Sequence, residues 1–246
     1  MTDGQRPVAL VTGAAKRIGA TIARTLHAAG YDVALHARNS YQDLEALARD
    51  LEAQRADSTL ALQADLADLD CLPDLVDATL GRFGRLDGLV NNASAFYPTP
   101  LATVTPSQWD DLFAANARAP LFLAQAAAPH LAGRNGAIVN LVDIYAERPL
   151  ARHAVYCMAK AALAAATRAL AQELAPLVRV NGVAPGAVLW PEHKDDAARA
   201  EILARTPLQR PGTPEDVACT VLWLLRDARY VTGEIIRVDG GRSLPI

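Results

Sequence analysis

Short apolar runs rich in β-branched residues alternate with longer helix-periodic segments along nearly the whole chain. That rhythm restricts the fold more than any other feature. Val8–Thr12 (VALVT) is ended by Gly13, and apolar residues then recur at helical spacing from Ile18 to Ala29 until Gly30 stops them. Further strands are expected at Asp32–His36, Thr59–Gln63, Gly88–Asn91, Ala137–Leu141, Val178–Val183 and Ile235–Val238. Between them the spacing predicts helices over Asp43–Gln54, Asp70–Phe83 and Val155–Leu174. Two more helices open at Thr105-Pro106-Ser107-Gln108 and Thr213-Pro214-Glu215-Asp216. The first has Thr as N-cap, Pro in the first turn and Gln three residues on. The second places two acids at the positive helix end.

Apolar strands joined through helices are parallel, covered on both faces and linked by right-handed crossovers. The expected fold is α/β: a Rossmann-like, doubly wound, mostly parallel seven-stranded sheet with helices on both faces. It forms one domain over residues 1–246. Val188–Arg210 breaks the rhythm, being charged and proline-punctuated with a short helix near Asp195–Arg205. An insertion so late in an open sheet either lies over the ligand crevice at the strands' carboxyl ends or is a surface elaboration.

Hydrophobic residues make up 51% of the 246, ample for one core. The formal net charge is −3 and no Lys/Arg-rich block occurs, which argues against nucleic acid or an anionic membrane as partner. No uninterrupted apolar run reaches membrane-span length, and the first residues lack the segments of a signal peptide. The expectation is a cytoplasmic protein. Cys71, Cys157 and Cys219 are scattered, in no metal-ligand spacing, and read as small buried hydrophobes.

After the first strand comes Thr12-Gly13-Ala14-Ala15-Lys16-Arg17-Ile18-Gly19. A strand, a glycine turn and a helix aim backbone N–H groups at a phosphate, assisted by the positive helix end. Arg17 stands where a middle glycine is expected. Lys16 and Arg17 are either two solvated charges or an anion-contacting pair at the helix mouth. The second strand ends His36-Ala37-Arg38-Asn39-Ser40, without the acid that NAD users place against the ribose hydroxyls. Arg38, with an amide from Asn39 and a hydroxyl from Ser40, suits the 2′-phosphate of NADPH.

TGAAKRIG, Asp65-Leu66, Asn91-Asn92-Ala93, Asn116, Tyr156-x-x-x-Lys160 and Asn181-Gly182-Val183-Ala184-Pro185-Gly186 follow one another in this order. The set resembles the short-chain dehydrogenase/reductase family over nearly the whole chain. Arg17 in the phosphate loop, Asp143 where most members have serine, and the stretch Asn91–Leu101 resemble the pteridine reductase branch, which reduces pterins and folates with NADPH. The resemblance implies cofactor contacts from Gly13, Lys16, Arg17, Ile18, Asp65, Leu66, Asn92, Ala93, Ser94, Lys160, Pro185 and Gly186, beside Arg38, Asn39 and Ser40. It implies that Asp143, Tyr156 and Lys160 do the chemistry, and that Arg17, Ser94, Phe96, Asp143 and Tyr156 meet the substrate. Phe96 would be a platform opposite the nicotinamide, and the assembly a homotetramer.

Tyr156 and Lys160 lie one helical turn apart and share a face. A nearby ammonium is expected to lower the phenol's pKa and make it a better acid. An ionised aspartate works the other way and repels a developing alkoxide, so Asp143 suits a ketone poorly. A pterin gains its proton on a ring nitrogen, which a carboxyl group can serve directly or through the tyrosine. The expected activity is NADPH-dependent reduction of a C=N bond in a (dihydro)pterin or (dihydro)folate, giving a tetrahydro product such as tetrahydrobiopterin. The alternatives are a carbonyl reductase of the same family, acting on a 3-oxoacyl thioester or other ketone, and a non-catalytic NADPH-binding sensor.

Overall fold

The computed structural model describes residues 6–189 and 196–244. Its centre is a seven-stranded sheet: β1 (Val8–Val11), β2 (Asp32–Ala37), β3 (Thr59–Gln63), β4 (Gly88–Asn91), β5 (Ala137–Leu141), β6 (Arg179–Pro185) and β7 (Ile235–Val238). The strand order is 3-2-1-4-5-6-7. Every pairing is parallel, where a mostly parallel sheet was expected. Helical crossovers join the strands and cover both faces of the sheet, the arrangement in which parallel strands pair.

Seven of the helices are α1 (Arg17–Ala28), α2 (Tyr41–Gln54), α3 (Cys71–Phe83), α4 (Pro106–Phe113), α5 (Ala119–Ala132), α6 (Ala154–Glu173) and α7 (Asp196–Ala204). The last is α8 (Pro214–Arg226). Ala9, Val11, Val33, Leu35 and Val139 pack towards α1, α2 and α8. Their strand neighbours Leu10, Ala34, Leu89 and Ile138 face the opposite way, onto α3 and α5. Period-two alternation inside strands buried on both faces thus feeds two cores, one on each face.

Both proline-led helices carry reciprocal caps. Thr105 and Gln108 form a capping box, as do Thr213 and Asp216. Between α4 and α5 the helix widens into a π turn at Ala114–Arg118, a local pattern that apolar periodicity does not reveal. The short helix in the late insertion begins at Asp196; Asp195, where it was expected to start, lies outside the described residues. Cys157 is buried, but Cys71 is partly exposed and Cys219 exposed, against the expectation of three buried thiols. By length and composition α6 would span a bilayer, yet half of that stretch is buried in the fold, and it carries Tyr156 and Lys160.

Candidate active site

The winding of the sheet reverses between β1 and β4, and the crevice of a doubly wound sheet opens beyond the strand ends at such a point. A cavity of about 490 Å³ lies there. Gly13, Lys16, Arg17 and Ile18 line one side, with His36, Arg38, Asp65 and Leu66 beyond them. Asn92, Ala93, Ser94 and Phe96 come from the segment after β4, Asp143 from that after β5, and Pro185 and Gly186 from the end of β6. Tyr156 and Lys160 reach in from α6. The cavity so gathers nearly all the sequence-predicted residues. Asn39 and Ser40 are not among the residues lining it; Ser40 sits at the N-cap of α2 without a side-chain capping bond.

The phosphate loop is held by close backbone contact. A Cβ on Gly19 would lie 2.1 Å from the Gly13 carbonyl oxygen, so no other residue fits there without moving the loop. Asn92 donates from Nδ2 to the carbonyls of Thr12 and Gly13 at 2.9 and 3.0 Å, tying the loop to β4. Arg17 has φ +54°, the left-handed conformation that glycine adopts freely. Keeping an arginine there costs about 1–2 kcal/mol of backbone strain, of the kind that collects at functional sites.

The donor set fits an anionic dinucleotide. The first turn of α1 contains no acid, and its N–H groups have no intrahelical acceptors. Lys16 is drawn to Asp43 at 2.8 Å, while Arg38 lies 3.7 Å from Asp65. Both pairs are about half exposed and therefore weak, so these cations can exchange partners for a phosphate.

At the other end, Asp143 caps the 3₁₀ turn Ile144–Ala146 by accepting the Tyr145 N–H at 2.9 Å on Oδ1. Its Oδ2 accepts the Tyr156 hydroxyl at 2.7 Å. Burial raises the Asp143 pKa, against the pull of the Tyr145 N–H, the Tyr156 hydroxyl, Lys160 and Arg242. Burial also pushes Tyr156 well above its ordinary value, and the Asp143 charge pushes it further. The expected lowering by Lys160 is not found. Lys160 Nζ donates to the Leu141 carbonyl at 2.7 Å and sits 5.8 Å from the centre of the Tyr156 ring. Its own pKa falls to about 8, because burial outweighs the attraction of Asp143. Within this pair the carboxyl group, rather than the ammonium, governs the tyrosine.

Phe96 is 50% exposed, and its ring meets Tyr156 edge-on at 4.7 Å. One face stacks on His153 at 4.8 Å and 12°. Ser94 donates to Asn116 Oδ1 at 2.7 Å, and Asn116 in the π turn donates to the Ala95 and Leu112 carbonyls. The bulge therefore orients the segment that carries Ser94 and Phe96. Sequence reading gave no part to His153, His36 or Arg242. For His36 a signal existed: a histidine following the apolar run Val33–Leu35 within a strand.

A family model described as Enoyl-(Acyl carrier protein) reductase matches residues 13–243. The chain belongs to the short-chain dehydrogenase/reductase family. It is an oxidoreductase, and members of the family use NAD(P)H and bind small-molecule substrates. Among its relatives in the family it is 40% identical to pteridine reductase 1 of Leishmania tarentolae, over 99% of this chain and 98% of that protein. It is 36% identical to 3-oxoacyl-[acyl-carrier-protein] reductase FabG of Staphylococcus aureus, over 95% and 96% of the two chains.

Proposed function

We propose that this oxidoreductase is an NADPH-dependent pteridine reductase that reduces a C=N bond of a (dihydro)pterin or (dihydro)folate. The observation that carries the reading is the hydrogen bond from the Tyr156 hydroxyl to Asp143 at 2.7 Å. A buried carboxyl group with a raised pKa holds a proton more readily at neutral pH, next to a phenol that keeps its own. Bound NADPH supplies the hydride. Tyr156 delivers a proton to the ring nitrogen, and Asp143 replaces it through the shared hydrogen bond. When ionised, Asp143 accepts N–H groups of the heterocycle. Lys160 holds the nicotinamide ribose, and Phe96 offers a flat aromatic surface for the pterin.

NADPH rather than NADH is supported by Arg38 and by the lack of an acid in His36–Ser40. In this reading Asn39 and Ser40 turn to the 2′-phosphate once it binds. Arg17 contacts both pyrophosphate and pterin. The reading includes a homotetramer, supported by exposed Trp109, Leu121, Phe122 and Met158 on α4, α5 and α6.

The likeness to a 3-oxoacyl reductase favours a second reading, reduction of a ketone. NADPH consumption with dihydrobiopterin or dihydrofolate, set beside an acetoacetyl thioester, separates the two. Turnover of the thioester alone overturns the pterin reading, and turnover of neither substrate favours a sensor.

A further inference from the structure

His36 is 1% exposed at the carboxyl end of β2, and both of its ring nitrogens are engaged. Nδ1 lies 3.4 Å from the Gly13 amide nitrogen and Nε2 lies 3.1 Å from the Ala64 carbonyl oxygen. The two neighbours dictate the tautomer. An amide can only donate and a carbonyl can only accept, so Nδ1 is bare and Nε2 carries the hydrogen. The His36 carbonyl also accepts the Ala14 N–H at 2.8 Å. One residue thus grips two consecutive amides of the phosphate loop and the segment leading to Asp65, on the wall of the cofactor cavity.

We propose that His36 is a positioning residue for the dinucleotide: its neutral imidazole clamps the phosphate loop at Gly13 to the end of β3 at Ala64. Adding a proton to Nδ1 turns the Gly13 contact into donor against donor and releases the loop. The inference rests on the family's use of NAD(P)H and is independent of the pterin reading. Gly13 gains most from such a clamp, because its φ of +62° belongs to a turn that many residues cannot make and that glycine alone does not hold rigid.

The charges around His36 fit this role. Asp65, beyond β3, is the one whose field reaches the imidazole and favours its protonation, while burial opposes it more strongly. Arg38 already pairs with Asp65 and Lys16 with Asp43. Arg17 lines the same cavity. Because the nucleotide binds the loop held by the neutral imidazole, affinity falls as pH drops into the range where His36 takes up a proton.

The test is direct fluorescence titration of the full-length protein with NADPH and with NADH. It runs from about pH 8 down to the lowest pH at which circular dichroism still reports the fold. The variants are His36→Gln, neutral at every pH with one donor and one acceptor, and His36→Leu, which can neither accept nor donate. NADH lacks the 2′-phosphate, so its profile is free of that group's own titration. As pH is lowered, parent affinity for NADH should fall, while His36→Gln should bind nearly as well as parent at about pH 7 and keep that affinity at lower pH. His36→Leu should bind both nucleotides about tenfold more weakly or worse at every pH. Parallel NADH profiles for parent and His36→Gln would overturn the proposal, as would a folded His36→Leu with parent affinity. If His36→Leu does not fold, the comparison of parent with His36→Gln decides alone.

Discussion

Replacing Asp143 with serine removes the group on which the proposed chemistry depends while leaving a small hydroxyl in its place. Serine's oxygen sits one C–C bond closer to the backbone, roughly 1.5 Å. The 2.7 Å contact with Tyr156 is therefore stretched beyond hydrogen-bond range. A hydrogen bond to a charged group contributes about 1.5–3 kcal/mol, or roughly 10- to 150-fold. Loss of the proton store brings the total to the ~10²–10⁴-fold range of general acid–base catalysis. Steady-state NADPH oxidation with dihydrobiopterin should show this loss in kcat, with NADPH affinity unchanged. Tyr156→Phe should lose a similar factor, and the double variant little more, because both residues act on one proton transfer. Stability should move the other way. A carboxyl whose pKa is raised on folding stabilises the native state below its unfolded pKa, and that contribution is lost as pH rises through the native value. At neutral pH the parent therefore carries a burial cost that serine escapes, and thermal unfolding of Asp143→Ser should come at an equal or higher temperature. A folded Asp143→Ser that reduces dihydropterin at the parent rate refutes the assignment.

Arg38→Asp should weaken NADPH binding and leave NADH nearly untouched, since only the 2′-phosphate meets the new charge; equal losses in titrations of both nucleotides count against it. Arg17→Gly should impair pterin turnover more than NADPH binding. Its unfolding free energy in urea should change by no more than about 1 kcal/mol, because relief of the left-handed strain offsets the extra freedom of the unfolded chain. NADPH affinity should decline as pH rises through about 8, where Lys160 loses its proton. Stability should rise with pH between about 8 and the unfolded lysine value near 10.4, since the unfolded chain binds more protons there. Lys160→Met should lack both trends in pH titrations of binding and unfolding.

Much of the framework can be read directly from the chain. β3, β4, β5 and β7 occupy the expected residues, and β1 ends one residue early. The caps at Thr105 and Thr213 form as their spacing requires. Boundaries moved where local signals were weak: α2 starts at Tyr41 rather than Asp43, and β6 runs from Arg179 to Pro185. The motifs flagged Gly13, Arg17, Asp143, Tyr156 and Lys160 for one cavity, and the cavity contains them. Their electrostatics were not legible. One helical turn between Tyr156 and Lys160 suggested an ammonium acting on a phenol, but the ammonium bonds Leu141 instead. Spacing along a helix says which side chains share a face, not what lies opposite them.

The sequence alone determined what depends on neighbours in the chain: where strands and helices form, how the helices are capped, and which turns need glycine. Hydrophobic period, caps and dihedral limits act over a few residues, so they survive the loss of all tertiary context. The tertiary structure decided which residues meet across long separations. His36 reaches Gly13 and Ala64 only because β2 lies between β1 and β3. Asp143 reaches Tyr156 only because a 3₁₀ turn folds the end of β5 back over α6. Burial then set the proton affinities of Asp143, Tyr156 and Lys160, since desolvation depends on the whole packed fold and on no single neighbour.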